Sequence, residues 1–112
     1  MPPAPKSTKK TAAAPKVYSV PQLSEAQIDS ALAARTDWAR VGDAISRTYA
    51  FKDFVQAMAF VDKAAEAAEA AQHHPDILIR YNKVTMTLST HDAGGISQKD
   101  FDLAAKLDAL SA

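Results

Sequence analysis

The sequence has 112 residues, a mass of 12.0 kDa and no cysteine. It can therefore close one hydrophobic core, and it cannot form a disulfide, a cysteine-ligated metal site or a thiol nucleophile. No apolar run approaches the ~18 residues of a transmembrane helix and no apolar signal segment opens the chain, so we expect a cytoplasmic protein without a membrane partner.

Basic residues are concentrated at the N-terminus. Residues 1–16 contain four lysines, no acid and four of the six prolines, which leaves 9 basic and 13 acidic side chains on the other 96 residues. A body with a net charge of −4 does not predict direct nucleic-acid binding. Because the Pro/Lys/Ala-rich segment buries too little to offset its ordering entropy, we predict a disordered tail over 1–20 and one folded domain over 21–112.

The first elements are a helix and a hairpin. Ser24 and Gln27 form a capping box that opens a helix over about 24–35. Two short apolar segments follow, 38–41 and 44–51, and Gly42-Asp43 between them suits a tight turn. The second segment alternates polar and apolar residues, which predicts a half-buried strand.

A long helix comes next, over about 53–72. Its predicted apolar face consists of Phe54, Ala57, Met58, Val61, Ala65 and Ala68. Pro75 cannot continue the helix, so it should end near His73-His74. Segments 77–81 and 84–90 predict a second hairpin around Asn82-Lys83.

A last helix opens at Ser97, which forms a capping box with Asp100. The element order is therefore α-β-β-α-β-β-α. Strands that are joined by short turns and interrupted by single helices predict an α+β fold, in which a four-stranded antiparallel sheet carries three helices on one face.

All three histidines, His73, His74 and His91, fall within nineteen residues at the ends of two predicted elements. One interpretation is purely structural, since an imidazolium favours a helix C-terminus. A zinc site with a carboxylate as fourth ligand is a second, although no HxH or HxxxH spacing is present. General acid–base catalysis is a third, because an unperturbed histidine titrates near neutral pH.

Other chemical signatures are weak. No GxSxG elbow and no glycine-rich phosphate loop occurs. Tyr81 lies between the two histidine groups, where it is either half-buried core or a surface on which a flat ligand could stack. Glu69 precedes His73 by four residues, so a helix would place their side chains side by side.

The run Glu69-x3-His73-His74-Pro75-x5-Tyr81-x9-His91-x8-Asp100 resembles the signature of the pterin-4a-carbinolamine dehydratases. The Trp38 segment, the segment 51–54 that opens the long helix, and the segment 89–95 are also similar to that family. The resemblance covers about residues 22–110.

The resemblance implies a lyase that dehydrates 4a-hydroxytetrahydrobiopterin to quinonoid dihydropterin, in tetrahydrobiopterin recycling after aromatic amino-acid hydroxylation. It implies no metal and no organic cofactor, a pterin as ligand, and assembly as a homodimer or homotetramer. His73, His74 and His91 would form the active site, and the supporting and substrate-binding residues would be Glu69, Pro75, Tyr81 and Asp100.

Within this resemblance, Glu69 is expected to orient His73. Some members carry a tryptophan two positions after His-His-Pro, where this chain has Ile77, so an aromatic wall is either missing or supplied by Tyr81. The rival function comes from relatives that act without catalysis, as a dimerisation cofactor of a transcription factor or as a Rubisco assembly factor.

Overall fold

The computed structural model describes residues 18–112, and the predicted tail up to residue 17 lies outside the described part. Its elements are α1 (Glu25–Ala34), β1 (Ala39–Val41), β2 (Ala44–Ala50), α2 (Phe54–Ala71), β3 (Asp76–Arg80), β4 (Lys83–Leu88), a short 3-10 turn (His91–Ala93) and α3 (Gln98–Leu110). The predicted fold class and element order are thus confirmed. Within these residues, no helix is long and apolar enough to cross a membrane.

The four strands form one antiparallel sheet in the order β1-β2-β4-β3. The long pairing of β2 with β4 sets Ile45 opposite Leu88 and Tyr49 opposite Val84, and all four side chains are buried on the face that carries the helices. The opposite face carries paired hydroxyl groups, with Thr48 and Thr85 2.7 Å apart and Ser46 and Thr87 3.2 Å apart. One face of the sheet therefore belongs to the core and the other is polar.

The core face of α2 is rotated from the predicted one. Ala57 and Ala68 are buried as expected, and Phe60 and Ala64 join them. Phe54 is 47% exposed and Ala65 is exposed, so these two were wrongly assigned to the core. The alanine-rich sequence offers apolar residues all round this helix. Their pattern alone consequently did not fix the buried stripe.

The turn of the second hairpin lies one residue earlier than predicted. Arg80 pairs with Lys83, so the loop consists of Tyr81 and Asn82. Tyr81 adopts a φ of 52°. The Asn82 side chain donates a 2.8 Å hydrogen bond to the carbonyl oxygen of Phe51, which holds the turn against the loop before α2. Tyr81 is therefore a turn residue instead of a strand residue.

Three polar side chains open the helices in the manner that their sequence indicates. Ser24 and Ser97 form full capping boxes with Gln27 and Asp100, and Asp53 accepts the backbone N–H of Gln56. These bonds satisfy N–H groups that have no partner inside a helix. The starts of all three helices are thus fixed locally.

A carboxylate near the end of α3 ties that helix to the sheet and to the segment after α1. Asp108 accepts hydrogen bonds from Tyr49 Oη at 2.5 Å and Trp38 Nε1 at 3.0 Å, and it pairs with Arg47 at 2.7 Å and Arg35 at 2.8 Å. Burial opposes ionisation of Asp108, but these hydrogen bonds and the charge of Arg47 outweigh it and hold its pKa below the ordinary value of 3.8. The ionised form is therefore the one that stabilises the fold.

Replacement of Asp108 by Asn is expected to lower the free energy of unfolding by about 2 kcal/mol at pH 7, because four donors lose their charged acceptor. Since the pKa of Asp108 is lowered by folding, its contribution is present above pH 3.8 and is lost as the pH falls through the folded-state value. Urea unfolding of both proteins across pH 2–7 tests this. The difference should shrink at the acidic end, while Asp102→Asn on the exposed side of the same helix should change little. A difference that does not vary with pH would contradict the role of the charge.

Candidate active site

The end of α2 directs two neighbouring histidines to different environments. Gln72 takes the left-handed conformation with φ 51° and ψ 41°, and its N–H caps the carbonyl groups of Ala68 and Glu69. The N–H of His73 also returns to the Ala68 carbonyl oxygen at 3.0 Å. The chain therefore leaves the helix before Pro75, so that His73 is buried while His74 is exposed.

His73 is held by a buried carboxylate. Its Nε2 lies 2.5 Å from Oδ1 of Asp100, which has no exposed surface. The other carboxylate oxygen accepts the hydroxyl of Thr90 and the N–H of Ser97, both at 2.9 Å. Because the Thr90 hydroxyl has one hydrogen and gives it to Asp100, the Ser97 hydroxyl 2.6 Å away must donate to Thr90. Both oxygens of Asp100 and both hydroxyl groups of this buried network therefore have a partner.

Asp100 has two roles in this network. As the third residue of α3 it completes the capping box with Ser97, and its negative charge lies at the positive end of the helix. The same carboxylate accepts the Nε2–H of His73. In the neutral form of the ring this bond selects the tautomer with its hydrogen on Nε2 and leaves Nδ1 without one.

The Glu69 carboxylate forms its hydrogen bond with His74, whereas the His73 ring is bonded to Asp100. Its Oε1 lies 2.8 Å from His74 Nε2, and both side chains are largely exposed. The sequence expectation that Glu69 orients His73 is therefore wrong. It assumed that the helix continues to His73, whereas the left-handed Gln72 ends the helix and rotates the next two side chains.

His91 approaches the same region from the other side. It opens the 3-10 turn after β4, and its carbonyl oxygen accepts the N–H of Gly94. The flanking residues Thr90 and Gly95 form a backbone bridge in which the N–H of Thr90 donates at 2.8 Å. This bridge closes a short loop and holds the exposed His91 at its start.

The three histidines line a common depression of about 240 Å³, which we call the histidine cleft. The cleft also contains Lys99, a residue that the sequence analysis did not single out; it was missed because its neighbours in the cleft lie on other elements. The full lining consists of Gln72, His73, His74, Ser89, Thr90, His91, Asp92 and Lys99. A second depression of about 340 Å³ lies on the other side of His91, between Tyr18 and the 89–95 loop.

The remaining predicted site residues lie at different distances from the cleft. Pro75 connects His74 to the start of β3 and so borders the site. Tyr81 lies in the turn at the opposite end of β3 and is 66% exposed. Within one chain the structure therefore does not bring Tyr81 to the histidines. Among residues 18–112, no three His, Asp or Glu side chains converge in a geometry that could hold a metal ion.

Comparison with known proteins gives consistent results. The family model described as pterin 4 alpha carbinolamine dehydratase matches residues 21–110. A protein from Cyanothece named "Putative pterin-4-alpha-carbinolamine dehydratase" is 56% identical over 89 residues, which are 80% of this chain and 92% of the relative. A protein of the same name from Thermomicrobium roseum is 54% identical over 90 residues, covering 80% and 97% of the two chains.

Two solved structures are similar to this chain as well. A transcriptional coactivator/pterin dehydratase from Brucella melitensis superposes with a TM-score of 0.78 at 38% identity, over 81% of this chain and 99% of that one. A pterin dehydratase-like protein identified as a RuBisCO assembly factor of the alpha-carboxysome gives a TM-score of 0.60 at 26% identity, over 68% and 90% of the two chains.

The buried network gives a prediction about stability. Asp100→Ala leaves a buried hydroxyl, a backbone N–H and an imidazole without their acceptor, so we expect a loss of about 2–4 kcal/mol in the free energy of unfolding. Hydrogen exchange should also accelerate in the first turn of α3. Thermal unfolding and amide exchange measure both effects.

The exposed Asp92→Asn in the adjacent loop is the matched control and should leave stability within about 0.5 kcal/mol of the parent. Equal effects of the two substitutions would contradict the structural role assigned to Asp100.

Proposed function

Because the chain belongs to the pterin 4 alpha carbinolamine dehydratase family, we propose that it dehydrates a 4a-hydroxytetrahydropterin to the quinonoid dihydropterin. The proposed substrate is 4a-hydroxytetrahydrobiopterin, formed during aromatic amino-acid hydroxylation, and the proposed role is tetrahydrobiopterin recycling. The observation that carries the proposal is the meeting of His73, His74 and His91 at one cleft. Three imidazoles from two separate chain segments supply more proton-transfer groups than a helix cap requires.

The reaction demands two proton transfers. The bond between C4a and its hydroxyl oxygen breaks, and the oxygen takes a proton from an acid and leaves as water. The proton on N5 passes to a base, and the electron pair of the N5–H bond forms the double bond between N5 and C4a. Each positioned proton donor or acceptor typically contributes roughly 10²–10⁴-fold in rate. The products are water and the quinonoid dihydropterin, so the reaction is complete without a metal or an organic cofactor.

The surroundings of each histidine suit this chemistry. Asp100 accepts the hydrogen on Nε2 of His73, so Nδ1 of the neutral form of the ring can accept a proton. Glu69 holds one nitrogen of His74 in the same way at the exposed side of the cleft. Among the described residues, the ring of His91 makes no side-chain hydrogen bond and is free to orient toward a bound ligand. The buried Asp100 is thus a positioning residue in this proposal.

The main test compares single and double histidine variants. With 4a-hydroxytetrahydropterin generated in situ by a phenylalanine hydroxylase, catalytic amounts of the protein should accelerate its spectrophotometric decay. His73→Ala and His91→Ala should each lower kcat by roughly 100-fold or more, since each removes a proton-transfer group. The double variant should show no turnover above the uncatalysed decay.

The control is Lys83→Ala, at the exposed far end of β4, which should retain full activity. Circular dichroism must show that each variant is folded. Unchanged turnover in both single variants would overturn the catalytic assignment. The pH–rate profile of each variant with residual activity would report whether the replaced histidine controls the acidic or the basic limb of the profile.

A non-catalytic binding or assembly role is the second candidate, as a transcription-factor dimerisation cofactor or a Rubisco assembly factor. One observation favours it: the structural similarity to a protein identified as a RuBisCO assembly factor. Recovery of a stoichiometric protein partner, together with absent turnover by the folded wild-type protein, would establish this role instead.

We also propose that the protein is a homodimer or homotetramer that uses β3. All five residues of this edge strand are exposed, and Ile77, Leu78 and Ile79 are apolar. An unpaired apolar edge favours pairing with another strand, and a second copy of β3 in antiparallel orientation is self-complementary.

The oligomer is tested by Ile77→Asp/Ile79→Asp, two positions on the same face of β3. In a β3–β3 dimer the four introduced carboxylates would lie close together, and we expect dissociation to a folded monomer. Sedimentation velocity at several concentrations measures the mass, and Asp76→Asn on the same strand serves as a control that removes charge. An oligomer that survives the double substitution would place the interface elsewhere.

A further inference from the structure

The segment before α1 is attached to the loop that carries His91. Residues 18–23, which we call the N-terminal strap, make two backbone hydrogen bonds to this region. The N–H of Val20 donates to the carbonyl oxygen of Asp92 at 3.1 Å, and the N–H of Leu23 donates to the carbonyl oxygen of Ile96 at 3.0 Å. Val20, which the sequence analysis placed in the tail, is thus hydrogen-bonded to the loop that carries His91. These two bonds fix the path of the strap along the site.

Two glycines make room for the strap. A Cβ atom on Gly94 would lie 2.6 Å from Cζ of Tyr18, and one on Gly95 would lie 2.4 Å from Nε2 of Gln22. Both distances are far shorter than a van der Waals contact. Gly94 also has a φ of 71°, which disfavours any residue with a side chain. The Tyr18 ring therefore rests directly on the backbone of the loop that begins at His91.

Tyr18 and His91 line the same depression of about 340 Å³, which we call the Tyr18 cleft. Its other lining residues are Ser89, Thr90, Gly94 and Gly95. His91, Ser89 and Thr90 also line the histidine cleft, so the two depressions meet at His91. Tyr18 remains 49% exposed, although Gly94 covers part of its ring. An aromatic surface next to a proposed proton-transfer group is thus left available to a ligand.

From this geometry we propose that Tyr18 is a binding residue for the ligand. The flat ring of the ligand stacks on the phenol ring of Tyr18 beside His91. The inference rests on the proposed function and deepens it, because a pterin is a flat conjugated heterocycle. Such rings gain affinity from aromatic side chains through stacking, whatever their exact substituents. A residue that binds the substrate equally in its ground and transition states changes KM and leaves kcat nearly unchanged.

Four proteins test the proposal: wild type, Tyr18→Phe, Tyr18→Leu and Tyr18→Ala. Binding of 7,8-dihydrobiopterin, a stable pterin, is measured by isothermal titration calorimetry, and kcat and KM are measured in the coupled dehydration assay. We expect Tyr18→Ala and Tyr18→Leu to weaken pterin binding about 5- to 20-fold and to raise KM similarly, with kcat within twofold. Tyr18→Phe keeps the ring and should stay within twofold of wild type in every constant.

The leucine variant separates binding from packing. It keeps an apolar side chain against Gly94, so the strap should remain in place, as amide exchange at Val20 and Leu23 would show. Pterin affinity of Tyr18→Leu equal to that of wild type, or the same loss in Tyr18→Phe, would overturn the proposed stacking. An unchanged dissociation constant in Tyr18→Ala would do the same.

The two proposals fail in different ways. Wild-type turnover with unaltered pterin binding in the alanine and leucine variants overturns only the role of Tyr18. Tyr18-dependent pterin binding without wild-type turnover overturns the dehydratase and supports the stacking role. Absence of pterin binding to the folded wild-type protein overturns both.

Discussion

Both the fold and the site depend on the hydrogen bonds that the buried carboxylate of Asp100 accepts. This carboxylate joins three separate parts of the chain: His73 just beyond α2, Thr90 just beyond β4, and Ser97 at the start of α3. Burying a charge is costly unless it is fully hydrogen-bonded, and here each oxygen has a partner. Removing any one of the three donors would weaken the others, because a buried network is stabilised as a unit. The position of His73 is therefore set by the folding of the domain itself.

Another carboxylate of α3, Asp108, has the same role at the other end of the helix. Its donors come from Arg35, Trp38, Arg47 and Tyr49, so it connects α3 to the first hairpin and the segment before it. Burial and the bond to Asp108 raise the pKa of Tyr49 above its usual range, which keeps this hydroxyl a neutral donor. With both ends anchored, α3 holds the histidine side of the molecule in a fixed position relative to the sheet.

Local sequence signals predicted most of the fold. The capping boxes at Ser24 and Ser97, and the alternation along β2, depend on residues that are close in sequence and were predicted correctly. The buried face of α2 and the exact position of the turn at Tyr81 were predicted wrongly. Alanines leave the helix face ambiguous, and a non-glycine residue at positive φ gives no clear signal in a sequence.

The candidate site was predictable in its residue types and less so in its pairings. Histidines at element ends indicated a common location, and the structure places His73, His74 and His91 around one cleft. Which carboxylate contacts which histidine depended on the left-handed conformation of Gln72 at the end of α2, for which a non-glycine residue gives no clear sequence signal. Tyr18 could not be found at all from the sequence, because it lies in a segment with the composition of a tail and reaches the site only through tertiary contacts.

Two histidines of the cleft are exposed, while the polar network behind the third is buried. This difference bears on how the fold can change over evolutionary time. His74 and His91 are exposed and contribute little to folding, so a lineage that abandons the reaction can replace them freely. Asp100, Thr90 and Ser97 are buried, and a lineage would have to keep them in either case, since the domain needs their hydrogen bonds to fold. Retention of the acidic residue in a distant homologue is accordingly weak evidence of activity. Retention of the two exposed imidazoles is stronger evidence, because the folding of the domain does not require them.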